Sequence, residues 1–153
     1  MPGLKKPVSV LVLIHTRELE VLLLERAAHP GFWQSVTGSQ EDGEELPETA
    51  RRETLEETGI AAAQAALVDW HLSNRFEIFR EWRHRYPEGV RHNVEHVYSL
   101  CVARDTPILI APAEHTGHLW LPWREAADKV FSWSNRDAIL MLPLAQDDPG
   151  SAR

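Results

Sequence analysis

The sequence contains a single cysteine, Cys101, so it can form neither an intramolecular disulfide nor a cysteine-rich zinc site. It also lacks an apolar run of membrane-spanning length, because the hydrophobic stretch from Val8 to Ile14 is too short to cross a bilayer. No small-residue cleavage pattern follows this stretch, and no targeting segment is predicted. These absences predict a reducing, cytoplasmic setting and no membrane partner.

Clustered positive charge is missing as well. The 153 residues include 16 Lys and Arg against 23 Asp and Glu, which gives a net charge of −7. The acidic excess is local, because the segment from Glu41 to Glu57 holds eight acidic and two basic residues. Binding of duplex nucleic acid requires grouped Lys and Arg that displace counterions, so no nucleic-acid partner is predicted. A small anion bound through a metal ion is compatible with this charge distribution.

The length predicts one domain over residues 1–153, with a polar C-terminal tail from about residue 146 to residue 153. Strands are predicted over residues 8–16, 20–26, 65–71, 76–79, 94–103 and 118–121. Helices are predicted over about 47–58, 124–130 and 135–142, the last of them capped by Ser134. Periodicity alone therefore predicts a mixed α and β protein.

An acidic helix face is the most informative feature of the chain. In the predicted helix 47–58, Glu53, Glu56 and Glu57 are spaced i, i+3 and i+4 and share one face. Adjacent like charges are unfavourable unless a cation lies among them, so this face is predicted to bind Mg²⁺, with Mn²⁺ as the alternative. The competing interpretation is a solvated, Glu-rich helix surface.

The segment from Gly38 to Ile60 resembles the Nudix box, a motif of fixed spacing. The matching residues are Gly38, Glu44, Arg52, Glu53, Glu56, Glu57, Gly59 and Ile60. One position departs from the pattern, since Thr54 replaces the usual larger aliphatic residue. The resemblance implies an α/β (α+β) fold, a Nudix-type α/β/α sandwich with a mixed β-sheet, and a hydrolase that cleaves phosphoanhydrides.

The same resemblance implies roles for the residues of the motif. The implied metal ligands are Glu53, Glu56, Glu57 and the backbone carbonyl of Gly38. Arg52 is expected to orient the carboxylates through an ion pair, and Glu44 to brace the loop before the helix. Arg52 and the three glutamates form the core of the expected catalytic set.

The family usually recruits another acid from a later loop, and Glu114 is the candidate, as metal ligand or as base. Glu95 is the competing acid, but its direction within a strand cannot be read from the sequence. The general base is left open between Glu57, Glu56 and Glu114, because a base is identified first by its reach to the attacking water. Histidines such as His115 are interpreted as ordinary polar or packing residues, since Mg²⁺ prefers oxygen ligands.

The segment from Arg75 to His96 interleaves aromatic and basic residues. Arginines can form bidentate contacts with a polyphosphate, and aromatic rings can stack on a heterocycle. The alternative is an Arg-rich surface loop whose aromatic residues pack in the core. The composition of the segment does not decide between these two interpretations.

A closer resemblance runs from about Lys5 to Ile139, to a bacterial branch of the Nudix family that hydrolyses dihydroneopterin triphosphate. It is carried by FWQSVTGS, FEIF, RHRYPEGV, AEHTGHLWL and SWSNRDAI at residues 32–39, 76–79, 83–90, 113–121 and 132–139. It implies that dihydroneopterin triphosphate is converted to the monophosphate and pyrophosphate, an early step of folate biosynthesis. The implied substrate-binding residues are Lys5, Arg26, Thr37, Phe76, Glu77, Ile78, Phe79 and Ser132.

Two other functions stay open at this point. A Nudix hydrolase acting mainly on dATP or another nucleoside triphosphate would have the same metal site and would differ only in the ring pocket. A catalytically silent Nudix module that binds a nucleotide is the second, but the intact set of Arg52, Glu53, Glu56 and Glu57 argues against it. A small-molecule triphosphate is the expected partner, and the oligomeric state is not predicted.

Overall fold

The computed structural model describes residues 3–146, so the predicted polar tail after residue 146 lies outside the described part of the chain. The strands are β1 Val8–His15, β2 Glu20–Arg26, β3 Trp33–Gln34, β4 Val36–Ser39, β5 Val68–Glu77, β6 His92–Cys101 and β7 His115–Pro122. The helices are α1 Leu46–Thr58, α2 Trp123–Lys129 and α3 Trp133–Gln146, with 3-10 turns at Gln64–Ala66 and Arg80–Arg85. Within residues 3–146, no helix combines the length and apolarity that a membrane span requires.

The strands form one mixed seven-stranded sheet with β1 near its centre. The hydrogen-bonded order is β3-β2-β1-β6-β5, with β4 also paired to β1 and β7 to β2. Strands β1 and β6 run parallel, and the other pairs are antiparallel. The sheet therefore contains both parallel and antiparallel pairs, and the predicted mixed β-sheet is confirmed.

Helices cover both faces of the central strand, which explains why β1 is apolar at nearly every position. Val10 and Val12 pack in one buried cluster with Ala50 of α1. Leu11 and Leu13 point the other way and pack in a second cluster with Ile139 of α3. Because successive side chains of a strand alternate between faces, this arrangement makes an α/β/α sandwich. The predicted fold is confirmed.

Helix α1 has its predicted position and both of its predicted end signals. Pro47 lies in the first turn, where its missing N–H costs no helical hydrogen bond. Gly59 ends the helix with φ of 76°, and its N–H donates to the carbonyl of Leu55 at 2.9 Å. Thr54, the departure from the motif, is fully buried, and its hydroxyl oxygen has no hydrogen-bond partner among the described residues.

Two strand predictions were wrong in detail. Residues 65–71 and 76–79 are not separate strands, because β5 is continuous from Val68 to Glu77 and Gln64–Ala66 is a 3-10 turn. The pairing of β5 with β6 is interrupted between Asp69 and Ser73, where His71 has a φ of 53°. This irregularity gives β5 the polar break that resembled a loop in the sequence.

The predicted cap of the last helix was also wrong. The hydroxyl of Ser132, and not that of Ser134, accepts the backbone N–H of Asn135 at 3.2 Å, and Ser134 is buried inside the helix. Helix α3 also runs past the predicted end at residue 142, through Pro143, to Gln146.

Candidate active site

The three acidic residues Glu53, Glu56 and Glu57 of helix α1 all line one cleft, but they are buried to different degrees. Glu57 is 2 % exposed, and the side chain of Glu53 is 13 % exposed. The side chain of Glu56 is 52 % exposed and lies at the rim. The sequence predicted that all three glutamates form one acidic face. In the fold only Glu53 and Glu57, spaced i and i+4, form the buried part of that face.

The buried pair is electrostatically unfavourable by itself. Burial is the main cause that raises the pKa of Glu53 and raises that of Glu57 well above its usual range. A hydrogen bond links the two carboxyl groups, and the charge of Glu114 raises both pKa values further. The backbone N–H of Thr37 donates to Glu57 and partly offsets this effect. A cation at this position would relieve the repulsion of both carboxylates.

Gly38 provides the space that the Glu53 carboxylate occupies. A Cβ built on Gly38 would overlap the carboxylate of Glu53, and no conformational demand on φ is involved. Strand β4 holds Gly38 in place by its pairing with Val10 of β1. The absence of a side chain at residue 38 therefore brings a backbone segment and a carboxylate into direct contact.

The donor set fits a hard divalent cation. The Oε1 atom of Glu57 is buried and has no hydrogen-bond partner among the described residues, so a cation would satisfy it. Within residues 3–146, no three His, Cys, Asp or Glu side chains lie together as a ready-made metal cluster. The fit therefore depends on the pair Glu53 and Glu57 with the backbone at Gly38.

Arg52 connects the helix to the loop before it. Its Nε and Nη2 atoms donate to the two carboxylate oxygens of Glu44 at 2.7 and 3.1 Å, a bidentate pair. Its Nη1 atom donates to Glu53 and to Glu56, each at 3.1 Å, and Nη2 also donates to the carbonyl of Ser39 at 3.0 Å. These contacts agree with an orienting role for Arg52 and a bracing role for Glu44.

We expect Glu44→Gln to lower the free energy of unfolding at pH 7 by about 1 to 2 kcal/mol, after allowance for screening by water in the cleft. The hydrogen bond from Arg52 is the main cause that lowers the pKa of Glu44 from 4.5 to about 2. A depressed pKa stabilises the fold above pH 4.5, and this contribution is lost as the pH falls towards 2. Urea unfolding of both proteins at several pH values measures it, and a constant difference across this range would contradict the ion-pair explanation.

Glu114 approaches the acid pair from the loop before β7. Its side chain is exposed at the edge of the cleft, and its carbonyl accepts the N–H of Ala27 at 2.8 Å. Its charge contributes to the raised pKa of both Glu53 and Glu57, and it lines the same cleft as these two residues. This placement is consistent with the later acid expected from the family resemblance.

His115 lies deeper in the site than the sequence indicated. Its Nε2 atom is 3.9 Å from Oε1 of Glu57 and 3.3 Å from Nε2 of Gln34. Burial, assisted by the charge of Arg26, lowers the pKa of His115 to about 4, so the imidazole is neutral at pH 7. The contact with Glu57 is therefore not an ion pair, and His115 shapes the back wall of the site.

Two cationic side chains, Lys5 and Arg26, line the same cleft as the acid pair, and this cleft has a volume of about 1350 Å³. Lys5 and Arg26 are half-buried there, and burial together with the charge of Arg85 lowers the pKa of both. Nearby acids oppose this lowering. The charges of Glu53 and Glu114 raise the pKa of Lys5. The charges of Glu57 and Glu114 raise the pKa of Arg26. A cleft that holds both cations and metal-binding acids suits a chain of phosphates.

Aromatic rings also line the cleft. Phe76 meets Trp133 edge-on with 6.5 Å between ring centroids, and Phe79 lies 4.9 Å from Trp82. The guanidinium of Arg26 lies over Trp82 at 4.7 Å. The segment from Arg75 to His96 thus contributes to the cleft. Some of its charged residues, such as Glu88 and Arg91, are exposed on the surface and do not line the cleft.

The structure brings the predicted substrate-binding residues to one cleft, although it does not test their roles. The residues that line it are Lys5, Arg26, Thr37, Phe76, Glu77, Ile78, Phe79 and Ser132. Some of them also have structural contacts: the hydroxyl of Thr37 donates to the carbonyl of Val10 at 2.9 Å, and Glu77 pairs with Arg83 at 3.2 Å. Ile78 is 3 % exposed.

Sequence reasoning missed a polar group on the floor of the cleft. Glu95, considered only as a competitor of Glu114, is buried on β6 beside Ser134, and burial raises its pKa to about 7. The charge of Glu114 raises the pKa of Glu53 and Glu57. The pKa of Glu95 is raised by burial and lowered by a hydrogen bond from the Ser134 hydroxyl. Asn93 is buried two residues earlier on the same strand. The available signal was the alternation of strand residues, which places Asn93 and Glu95 on the same face of β6 as the apolar Val97.

Comparison with known proteins gives consistent matches. A family model described as NUDIX domain matches residues 5–142. Dihydroneopterin triphosphate diphosphatase of Escherichia coli K12 is 44 % identical over 138 residues, which cover 88 % of this chain and 91 % of that protein. The protein of the same name from Haemophilus influenzae is 38 % identical and covers 86 % and 84 % of the two chains. The solved structure of the E. coli dihydroneopterin triphosphate pyrophosphohydrolase superposes with a TM-score of 0.86, at 41 % identity, over 93 % of this chain and 98 % of that one.

Proposed function

The chain belongs to the Nudix family, and from this premise we propose that it is a Mg²⁺-dependent pyrophosphohydrolase of dihydroneopterin triphosphate. The products would be dihydroneopterin monophosphate and pyrophosphate. The observation that carries the proposal is that buried Glu57 and largely buried Glu53 line the same cleft as Lys5 and Arg26. The high identity to two diphosphatases of this substrate supports the choice of ring.

Divalent metal is used by Nudix hydrolases in general, and the acid pair, Gly38 and Glu114 are the residues that would hold it here. When bound, Mg²⁺ supplies neutralisation of phosphoryl charge and activation of water. The oxygen-only donor set favours Mg²⁺, because a hard cation prefers carboxylate and carbonyl oxygens.

The side chains of the cleft divide the remaining work. Lys5 and Arg26 bind the phosphate oxygens and hold the triphosphate of the substrate extended along the cleft. Arg52 keeps Glu53 in position through its hydrogen bond. Glu57 and Glu114 are the candidates for accepting the proton of the attacking water, since Glu56 lies at the rim and is held by Arg52.

The function is tested by a Mg²⁺-dependent assay that compares kcat/KM for dihydroneopterin triphosphate with kcat/KM for dATP and the other nucleoside triphosphates. Pyrophosphate and single phosphate are measured separately as products. We expect the pterin to be preferred and pyrophosphate to be released. Preference for a nucleotide would contradict the substrate and keep the chemistry, whereas no turnover of any of them would contradict the proposal as a whole.

A further inference from the structure

A second buried polar group lies on the floor of the cleft, apart from the acid pair of α1. Asn93 and Glu95 are 3 % and 5 % exposed and occupy alternate positions of β6, so both side chains are on the face covered by α3. Both line the cleft. The proposed hydrolysis gives them no role.

Their hydrogen bonds leave two acceptors without donors. The amide nitrogen of Asn93 donates to the hydroxyl of Ser9 at 2.7 Å, and the hydroxyl of Ser134 donates to Glu95. The Oδ1 atom of Asn93 and the Oε1 atom of Glu95 have no partner among the described residues. Buried acceptors without donors are costly, so this floor is complementary to a ligand that brings N–H groups.

The flanking side chains indicate the shape of that ligand. Phe76 of β5 is paired in register with Asn93, and Trp133 directly precedes Ser134 on α3. Both rings line the cleft and meet edge-on. A flat heterocycle that stacks on one of these rings would present its edge to Glu95, and a carboxylate accepts best from two adjacent N–H groups.

Strand register places this floor within reach of the phosphate-binding end. Ser9 of β1 is paired with Glu95 on one side and with Ser39 of β4 on the other. Two strand spacings separate the backbones of Glu95 and Ser39, which is roughly 10 Å. Ser39 directly follows Gly38 on β4, which pairs with β1 alone, and their side-chain positions lie on opposite faces of the sheet. Glu95 and the acid pair nevertheless line the same cleft, so one extended ligand that passes the edge of β4 can contact Glu95 with its ring and the acid pair with its phosphates.

We propose that Glu95, with Asn93 beside it, is the residue that determines specificity for the ring, by accepting hydrogen bonds from a ring N–H and the neighbouring exocyclic amine. The inference rests on the proposed function, because it assigns the ring-binding end of the same cleft. The pterin edge carries this pair of donors. Adenine instead places an unprotonated ring nitrogen beside its amine, and that nitrogen would face a carboxylate oxygen without a proton between them.

The test is a specificity switch in Glu95→Gln. Glutamine has the same shape and pairs an acceptor with a donor, which matches the edge of adenine. We expect the ratio of kcat/KM for dihydroneopterin triphosphate to that for dATP to fall by roughly 10- to 100-fold, mainly through KM for the pterin. Glu95→Asp, which keeps the charge and withdraws it by one methylene, should raise KM for the pterin without favouring dATP.

Controls separate this inference from the proposed function. Glu125→Gln changes an exposed residue of α2 that does not line the cleft, and it should leave the ratio unchanged. Binding of free 7,8-dihydroneopterin, followed by tryptophan fluorescence, reports the ring site without hydrolysis.

The outcomes separate the two proposals. If the wild type hydrolyses the pterin triphosphate and both Glu95 variants keep the wild-type KM and ring affinity, the specificity role is overturned and the function stands. If the wild type does not hydrolyse it, the proposed function fails. Ring affinity that weakens in both Glu95 variants then still supports the ring site, and a wild type that does not bind the free ring overturns it.

Discussion

Replacing Glu57 by glutamine is expected to lower kcat by at least about 1000-fold, because it removes a carboxylate from the centre of the proposed metal site. Glu57 is 2 % exposed, and its Oε1 atom has no hydrogen-bond partner among the described residues. The measurement is the steady-state rate with dihydroneopterin triphosphate over a range of Mg²⁺ concentrations, and activity near that of the wild type would contradict the metal assignment.

Stability measurements distinguish this loss from misfolding. Because the folded-state pKa of Glu57 lies above 4.5, the wild-type fold loses stability as the pH rises from 4.5 through that raised pKa. The Glu57→Gln variant lacks this penalty and should be at least as stable as the wild type at pH 8. Glu48→Gln, in the exposed first turn of the same helix, is the matched control and should keep full activity.

The acid pair of α1 could be predicted from the sequence because all its determinants are local. The i, i+4 spacing of Glu53 and Glu57 defines one helix face, and Pro47 and Gly59 fix the ends of the helix. The spacing does not show how wide the buried part of that face is. The fold leaves Glu56 at the rim, paired with Arg52, which the sequence could not show.

The parts that were missed depend on partners distant in the sequence. Strands Trp33–Gln34 and Val36–Ser39 are too short to show a periodic pattern and exist through pairing with β2 and β1. The direction of Glu95 depends on the register of β6 against β1. The cap of α3 was misplaced because Ser132 and Ser134 are both plausible caps by residue type, and only backbone geometry selects Ser132.

The closeness of Gly38 to the acid pair gives the second large expected effect. We expect Gly38→Ala to reduce kcat by about 100-fold or more and to destabilise the fold by about 1 to 3 kcal/mol. The added methyl group would overlap the Glu53 carboxylate, which Arg52 also holds at 3.1 Å, so the carboxylate must leave its position. Steady-state kinetics and urea unfolding measure the two effects.

A matched glycine and a double-mutant cycle identify the cause of this effect. Gly117→Ala is the control, because a methyl group there would only come within 4.0 Å of Glu25 and would have room. If the overlap with Glu53 causes the destabilisation, Gly38→Ala should cost clearly less in a Glu53→Ala background, since the clashing group is gone. Equal costs in both backgrounds would mean that Gly38 acts through the backbone of β4, and the Glu53 carboxylate would no longer explain why residue 38 is a glycine.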